Sequence, residues 1–369
     1  MRFLMKLAII LGTRPEIIKM APIIRECEKR KMDYFVLHTG QHYSKELDEQ
    51  IFLDLELPKP KYNLGVGSQP YRKQVGIMTR EIEKIFEKEL PNLVLVQGDT
   101  ISVLAGALAA KKLNIKVGHH EAGLRSHDTS MLEEVNRVIV DHISDFLFTP
   151  TPDALKNLHQ EGKEPSRIFF TGNTIVDALN QNIEIARNKS KILEKLGLRS
   201  KSYILVTAHR AENVDKPEKL KDIINGLSLI YKEFAIPLVF PIHPRTLARM
   251  KENNIESPKG LFLLEPVGFL DFLILEQNAK LVITDSGGVQ EECFVLKVPC
   301  VTIRENTERP ETIEYGMNIL AGTNPDKMLL AAKEMFSKSI NPGSNGWENP
   351  FGDGKAAERI LDILMEKTK

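Results

Sequence analysis

Short apolar runs alternate with amphipathic helical stretches along the whole chain, and this alternation limits the fold more than any other feature. Such runs are typical of strands buried on both faces, and the helices between them are typical of βαβ units. The runs form two series, at residues 7–11, 34–38, 93–97, 115–118, 146–149 and 168–171, and at 203–207, 238–242, 261–264, 281–284, 300–303 and 318–320. The pattern predicts an α/β protein with two doubly wound parallel sheets.

The chain length agrees with two domains, because 369 residues exceed one ordinary core and domains usually hold about 150–200 residues. Residues 173–201 contain no Pro/Gly-rich linker and are predicted to form a helix entering the second domain. We expect domains at 1–175 and 176–353. The terminal stretch 354–369 has one apolar face and is expected to pack on the first domain as a helix.

Composition excludes several classes of protein. Fifty basic and fifty acidic residues give a formal net charge of zero, which argues against sequence-independent binding to nucleic acid. Three cysteines lack metal-like spacing, and no apolar run reaches the length of about 18 residues typical of a membrane span. Lys6 interrupts the apolar N-terminus, so that segment is predicted to be a strand and not a signal peptide. We expect a cytoplasmic protein without disulfides.

Five polar clusters follow predicted strands. In parallel α/β sheets the carboxyl ends of the strands share one edge, where ligands bind. The sequence therefore predicts a ligand site built from the clusters Gly12-Thr13-Arg14-Pro15-Glu16, Gln97-Gly98-Asp99-Thr100, Glu121-Ala122-Gly123-Leu124-Arg125, His209-Arg210-Ala211-Glu212-Asn213 and the segment 285–292.

Two of these clusters have the chemistry of phosphate binding. Arg14 follows a glycine turn after the first strand and offers a permanent charge to an anion. The stretch Ser286-Gly287-Gly288 opens a helix, whose free N–H groups favour a diphosphate, and Glu292 can accept hydrogen bonds from ribose. The motif Gly-x-Gly-x-x-Gly is absent, which disfavours a dinucleotide cofactor.

Acidic residues near strand ends in the first half favour proton transfer. Asp99, Glu121, Glu133 and Glu134 are the candidates, with Arg137 one helical turn beyond Glu133. The alternative is a set of helix caps and surface ion pairs, which is equally favoured for Glu134. His209 and His243 follow later strands and can donate to phosphate or sugar oxygens. Histidine pairs such as His38 and His42 have weak metal-like spacing, and no metal is predicted.

The motifs resemble, in order and across nearly the whole chain, the non-hydrolysing UDP-N-acetylglucosamine 2-epimerase family. The matching segments are Gly12-Thr13-Arg14-Pro15-Glu16, Thr39-Gly40-Gln41-His42, Gln97-Gly98-Asp99-Thr100, Glu121-Ala122-Gly123-Leu124-Arg125, Glu133-Glu134-Val135-Asn136-Arg137, Thr207-Ala208-His209-Arg210, Asp285-Ser286-Gly287-Gly288 and the segment 304–311. The resemblance implies the glycosyltransferase-B fold, in which two Rossmann-like domains face each other across a cleft.

The resemblance also implies a reaction, the exchange of UDP-N-acetylglucosamine and UDP-N-acetylmannosamine. UDP leaves as the C2 proton is removed, 2-acetamidoglucal forms, and UDP adds back after protonation on the other face. No redox cofactor or metal is needed. By resemblance the catalytic residues are Asp99, Glu121, Glu133, Arg137 and His209. Substrate-binding residues, with Phe272 stacking on uracil, are Arg14, Lys19, His243, Phe272, Ser286, Gly287, Gly288, Glu292 and Arg309.

The chain departs from the family pattern at two places. Met131-Leu132 stands where Met-Pro is common, before the paired glutamates. Gln41 and His42 match a regulatory site for a second substrate molecule, but Tyr43-Ser44 and residues 65–70 do not. The family further implies a cytoplasmic homodimer that serves polysaccharide biosynthesis, with nucleotide sugars as its small-molecule partners.

Four alternatives remain open. A 2-epimerase of a related sugar, such as UDP-2,3-diacetamido-uronate, shares most of these motifs. A hydrolysing epimerase would release UDP and free sugar, and a glycosyltransferase would share the architecture. A nucleotide-sugar sensor without catalysis is disfavoured by the intact residues Asp99, Glu121, Glu133, Arg137 and His209.

Overall fold

A computed structural model describes residues 5–41, 45–67, 69–337 and 349–368. The chain forms two compact units, Met1–Gln181 with Glu348–Lys369, and Asn182–Trp347. This division follows residue 181, within helix α7 (Thr174–Lys189), whose first part belongs to the first unit; the sequence predicted a boundary after residue 175. Of the helices in the described ranges, none is long and apolar enough to cross a membrane.

The first unit contains a parallel sheet of seven strands in the order β3-β2-β1-β4-β5-β6-β7. The strands are β1 (Lys6–Leu11), β2 (Asp33–His38), β3 (Tyr62–Asn63), β4 (Leu93–Gln97), β5 (Lys116–His120), β6 (Phe146–Thr149) and β7 (Ile168–Phe170). Besides α7, its helices are α1 (Arg14–Arg30), α2 (Lys45–Asp54), α3 (Tyr71–Glu89), α4 (Ile101–Lys112), α5 (Leu132–Ile143), α6 (Pro152–Gln160) and the C-terminal α16 (Ala356–Lys367).

The second unit contains a parallel sheet of six strands in the order β10-β9-β8-β11-β12-β13. The strands are β8 (Ile204–Thr207), β9 (Leu238–Pro241), β10 (Leu261–Leu264), β11 (Leu281–Thr284), β12 (Cys300–Thr302) and β13 (Asn318–Leu320). The remaining helices are α8 (Ile192–Leu196), α9 (Ala211–Val214), α10 (Pro217–Phe234), α11 (Pro244–Glu252), α12 (Phe269–Asn278), α13 (Gly287–Leu296), α14 (Pro310–Glu314) and α15 (Pro325–Ser337).

The prediction of two doubly wound parallel α/β sheets is confirmed, with two local differences. Strand β3 was not predicted, because Tyr62 and Asn63 form too short a run to give a pattern. Strand β5 extends through His119 and His120, whereas the sequence ended it at residue 118. Both histidines are fully buried, and polar side chains obscure an apolar run even where the strand continues.

The strand orders place one topological switch point in each sheet. The chain leaves β1 towards β2 and β3 and then returns to the other side of β1 with β4. In the second sheet, β8 and β11 stand in the same relation. Loops that leave neighbouring strands in opposite directions open a crevice at the carboxyl ends. The clusters after β1 and β4 therefore share one crevice, and those after β8 and β11 share another.

The C-terminal helix α16 packs against α1 in the first unit. The carboxylate of Asp177 accepts the N–H groups of Ala356 and Ala357 at 3.2 and 3.0 Å, which caps the first turn of α16. Arg30 of α1 also pairs with Asp362 at 2.6 Å, but the Asp362 side chain is 68% exposed. Asp177 is buried, so the cap and not the surface ion pair is expected to hold the helix.

We expect Asp177→Ala to lower the free energy of opening of α16 by about 1–2 kcal/mol, because two helix N–H groups lose their acceptor. Asp362→Ala is the matched control on the same helix and should change it by less than about 0.5 kcal/mol. Amide hydrogen exchange in residues 356–367 measures both effects. Equal effects of the two substitutions would contradict the capping role.

Candidate active site

The loops after β1 and β4 are joined by a buried carboxyl group, that of Glu16. Its Oε2 accepts the N–H groups of Gly12 and Thr13 at 2.8 and 2.6 Å, and its Oε1 accepts the Thr100 hydroxyl at 2.7 Å. Burial raises the pKa of Glu16 to about 7 despite these hydrogen bonds. Glu16 belongs to the first polar cluster but was not predicted as a site residue, and it fixes the first loop next to the loop that carries Asp99.

Arg137 is buried and bridges two carboxylates, Asp99 and Glu134. The sequence paired it with Glu133, but Glu133 is exposed and Glu134 is the buried partner. On α5 the i,i+3 spacing, and not i,i+4, brings the guanidinium and carboxylate together. The Asp99 side chain keeps 30% of its surface exposed, so it is the accessible member of this trio.

Glu134 also holds the loop before α5. Its carboxylate accepts the N–H of Ser126 at 3.0 Å, the Ser126 hydroxyl at 3.1 Å and the N–H of His127 at 3.1 Å. These bonds explain why the second glutamate is buried while Glu133 faces solvent. Two interpretations were left open for Glu134, proton transfer and a structural role at the helix terminus. The structure favours the structural role, because this carboxylate binds the loop before α5.

Glu121 is a buried carboxylate on a strained backbone, at φ +67°. One oxygen contacts the Lys19 ammonium at 2.5 Å and the Asn173 amide at 2.9 Å. The other accepts the side-chain amide of Gln97. A non-glycine residue in this conformation costs on the order of 1 kcal/mol and persists where surrounding contacts impose it, often at functional sites.

The crevice of the second unit is built around Asp285, which is fully buried. Its carboxylate accepts the N–H groups of His209 and Arg210 and the side-chain amide of Asn213, at 2.9–3.2 Å. Burial raises the pKa of Asp285, but hydrogen bonds and the charge of His209 outweigh it and hold that pKa below its usual value. His209 itself is 44% exposed, with Nδ1 3.2 Å from Asp285, and its ring lies 6.2 Å from that of His243.

Helix α13 begins beside Asp285 with an accessible backbone. The Ser286 hydroxyl accepts the Val289 N–H at 3.5 Å as its N-cap. A Cβ atom at Gly287 or Gly288 would meet nothing closer than Glu308 Oε1 at 3.5 Å or Ser286 Oγ at 3.9 Å, respectively. Packing among the described residues therefore does not require glycine here. Close approach of an anion to the helix N-terminus supplies a reason for both glycines.

Comparison with known proteins agrees with this geometry. The family model described as UDP-N-acetylglucosamine 2-epimerase matches residues 25–365. The UDP-N-acetylglucosamine 2-epimerase of Methanocaldococcus jannaschii is 53% identical, over 98% of this chain and 99% of its own. The chain belongs to the UDP-N-acetylglucosamine 2-epimerase family. The family predicted from the motifs is thereby confirmed.

A solved structure and a second relative extend this comparison. A crystal structure of the M. jannaschii enzyme with UDP-GlcNAc and UDP superposes with a TM-score of 0.92, at 53% identity, covering 98% of this chain and all of the other. The UDP-2,3-diacetamido-2,3-dideoxy-D-glucuronate 2-epimerase of Pseudomonas aeruginosa is 38% identical, over 98% of this chain and all of its own. Membership of the family is thus compatible with more than one nucleotide sugar.

Several residues implied by the family resemblance have internal partners. Lys19 pairs with Glu121, and the buried Arg309 pairs with Glu291 at 2.5 Å, so each guanidinium or ammonium group supports a neighbouring carboxylate. Arg14, the first residue of α1, and Phe272 on α12 are half-buried. For the regulatory pair, Gln41 accepts the Ser102 hydroxyl at 2.8 Å, while His42 lies outside the described residues.

The Glu292 carboxylate, implied as the ribose ligand, is 8% exposed and faces the buried Glu276. Burial, and then the charge of Glu292, raise the pKa of Glu276 well above its usual value. The Cys293 thiol donates to Glu276 Oε1 at 3.3 Å. Glu276 is therefore a buried carboxyl group with a raised pKa, next to the carboxylate implied as the ribose ligand.

Glu308 predicts a pH-dependent contribution to stability. It is buried among Arg304, Arg309 and Arg210, whose charges outweigh burial and lower its pKa to about 2. Because the unfolded pKa is near 4.5, this stability is complete above that value and is lost as pH falls towards 2. Glu308→Gln should destabilise the protein by about 1–3 kcal/mol at pH 7 and progressively less in acid.

Chemical denaturation of both proteins at several pH values measures this difference. Glu305→Gln is the matched control, since Glu305 is exposed only three residues away, and should stay within about 0.5 kcal/mol of wild type. A loss of stability in Glu308→Gln that became larger as pH falls would contradict the lowered pKa of Glu308.

Proposed function

We propose that this chain interconverts UDP-N-acetylglucosamine and UDP-N-acetylmannosamine by inverting carbon 2. The observation that carries the proposal is the paired arrangement of Asp99 and Glu121 at one sheet edge, in a chain of this family. Asp99 is partly exposed beside Arg137, and Glu121 is held in a strained turn by Lys19. Proton transfer at carbon needs such fixed carboxylates.

The proposed reaction is an elimination followed by an addition. A carboxylate removes the C2 proton, the C1–C2 double bond forms, and the C1–O bond breaks with its electrons passing to UDP. The 2-acetamidoglucal is then protonated at C2 from the opposite face, and the diphosphate attacks C1. Asp99, Glu121 and Glu133 are the proposed acid and base groups, with Arg137 orienting Asp99. No redox cofactor or metal takes part.

The leaving diphosphate needs stabilisation as its charge develops. We assign this role to the N-terminus of α13 at Ser286, Gly287 and Gly288, to His209 and to Arg14. Asp285 supports the proposal, because its carboxylate accepts the N–H groups of His209 and Arg210 and so fixes the backbone at His209. The His209 side chain remains 44% exposed. Lys19 and Arg309 are assigned as supports of Glu121 and Glu291, since both are buried in ion pairs.

Recognition of the nucleoside and the phosphates is assigned to the remaining residues. His243 lies beside His209 and can donate to a phosphate oxygen. Phe272 offers a half-buried ring for the uracil. Glu292 is assigned to accept hydrogen bonds from the ribose hydroxyls, and it lies beside Glu276, whose pKa is raised by burial and by the charge of Glu292. Regulation through Gln41 and His42 by a second UDP-N-acetylglucosamine remains part of the proposal.

We further propose a cytoplasmic homodimer that supplies activated amino sugars to polysaccharide synthesis. An apolar stripe on α5 supports the dimer, since Leu132, Val135 and Ile139 are 52%, 37% and 37% exposed and lie on one helix face. Light scattering after size-exclusion chromatography should give a mass near twice 41.7 kDa. A monomer at micromolar concentration would contradict the dimer.

Incubation with UDP-N-acetylglucosamine in heavy water is expected to place deuterium at C2 and to yield UDP-N-acetylmannosamine. Proton NMR of the sugar and chromatography of the nucleotides measure both products. Accumulation of UDP and free sugar in equal amounts would indicate a hydrolysing enzyme. Exchange only with the diacetamido-uronate nucleotide would assign the substrate of the P. aeruginosa relative.

Asp99→Asn is expected to lower C2 exchange by about 100- to 10,000-fold, because the amide cannot take a proton. The Kd for UDP, measured by calorimetry, should stay within about twofold of wild type. Asp33→Asn is the matched control, since Asp33 is exposed at the start of β2, the opposite end of the sheet from the loops. Loss of UDP binding in the Asp99 variant would assign Asp99 to nucleotide binding and not to proton transfer.

A further inference from the structure

His119 lies beneath the two acid–base loops and bonds through both ring nitrogens. Its Nε2 lies 2.8 Å from the carbonyl oxygen of Gly98, the residue before Asp99. Its Nδ1 lies 2.7 Å from Asp141 Oδ1 on α5. Both partners are acceptors, and the ring is fully buried between them, so it connects the backbone before Asp99 to helix α5.

Asp141 extends this contact to the second loop. Its Oδ2 accepts the N–H of Gly123 at 3.1 Å, two residues after Glu121, and pairs with Arg125 at 2.7 Å. Burial raises the pKa of Asp141, but His119 and Arg125 outweigh it and keep that pKa below its usual value. The carboxylate is therefore charged and accepts from both sides.

Asp141 is paired with the buried Arg125. Arg125 also contacts Glu161 through two nitrogens, at 2.7 and 2.8 Å. The buried Lys163 interacts electrostatically with the same two carboxylates, Asp141 and Glu161. A buried charge is tolerated when it is paired and hydrogen-bonded, which explains how the charged Asp141 persists away from solvent.

We propose that His119 and Asp141 form a positioning pair that fixes Asp99 and Glu121 relative to each other. The His119 ring contacts the Gly98 carbonyl oxygen, and the Asp141 carboxylate accepts the Gly123 N–H, so the contact between these two side chains joins the backbones that carry Asp99 and Glu121. The Gly123 backbone is closely packed, because a Cβ there would lie 2.2 Å from the Ala154 carbonyl oxygen. This packing leaves Gly123 little room to move. This inference rests on the proposed epimerase function and gives it a further requirement.

The pair should affect turnover and not nucleotide affinity. His119→Gln keeps one donor but cannot bridge both loops, and a displacement of reacting groups by about 1 Å lowers rates by about 100-fold. We expect C2 exchange to fall by about that factor, while KM and the Kd for UDP stay within about threefold. Asp141→Asn is the second variant, since it keeps an acceptor for Gly123 and removes the charge.

His142→Gln is the matched control, because His142 neighbours Asp141 on α5 and is exposed, with its Nδ1 at the Val138 carbonyl. It should exchange at the wild-type rate. Unchanged exchange in both His119→Gln and Asp141→Asn would overturn the proposal, as would equal losses of kcat and UDP affinity. A wild-type protein that exchanges no deuterium with either nucleotide sugar would instead refute the epimerase function itself and the positioning role with it.

Nitrogen-15 NMR of histidine-labelled wild-type protein tests the geometry directly. We expect one histidine with a proton on Nδ1 that is donated to Asp141 and exchanges slowly with water because the ring is buried. That signal should be missing in His119→Gln. A His119 ring without a proton on Nδ1 would overturn the proposal.

Discussion

Charges buried at the carboxyl edge of each sheet must be paired, and this requirement organises the rest of the site. Removing a charge from water costs several kcal/mol unless a partner and hydrogen bonds compensate. In the first unit, Lys19 satisfies Glu121 and Arg137 satisfies Asp99 and Glu134. In the second, backbone N–H groups and His209 satisfy Asp285. Each pairing fixes a loop that follows a strand.

The degree of pairing separates groups that support the loops from groups that remain available. Glu134 uses its oxygens on Arg137 and on the backbone of residues 126 and 127, so it holds structure. Asp99 shares the same arginine but keeps almost a third of its side chain exposed. The difference arises because Asp99 lies in the loop after β4 at the crevice, whereas Glu134 lies within the first turn of α5. Accessibility, and not residue type, therefore distinguishes neighbouring carboxylates.

The sequence predicted the sheets and the strand-end clusters because both leave periodic or local patterns. It missed β3, which has two residues, and ended β5 at residue 118, because His119 and His120 interrupt the apolar run. It also paired Arg137 with Glu133. Two adjacent glutamates are indistinguishable in sequence, and only the facing loop at Ser126 determines which one turns inward. Contacts between segments far apart in sequence leave no periodic signal.

The contacts of Glu16 and His119 could not be predicted from the sequence for the same reason. Glu16 stood within a cluster that the sequence singled out, but its hydroxyl partner Thr100 lies 84 positions away. His119 lies two residues before Glu121 in the sequence, yet its two acceptors come from the loop after β4 and from α5. The tertiary structure, and not the residue type, therefore determines which groups its ring nitrogens contact. Glu121 has a strained backbone conformation and is held by such contacts, so its carboxylate has little freedom to move. Proton transfer at an unactivated carbon needs a carboxylate fixed in this way.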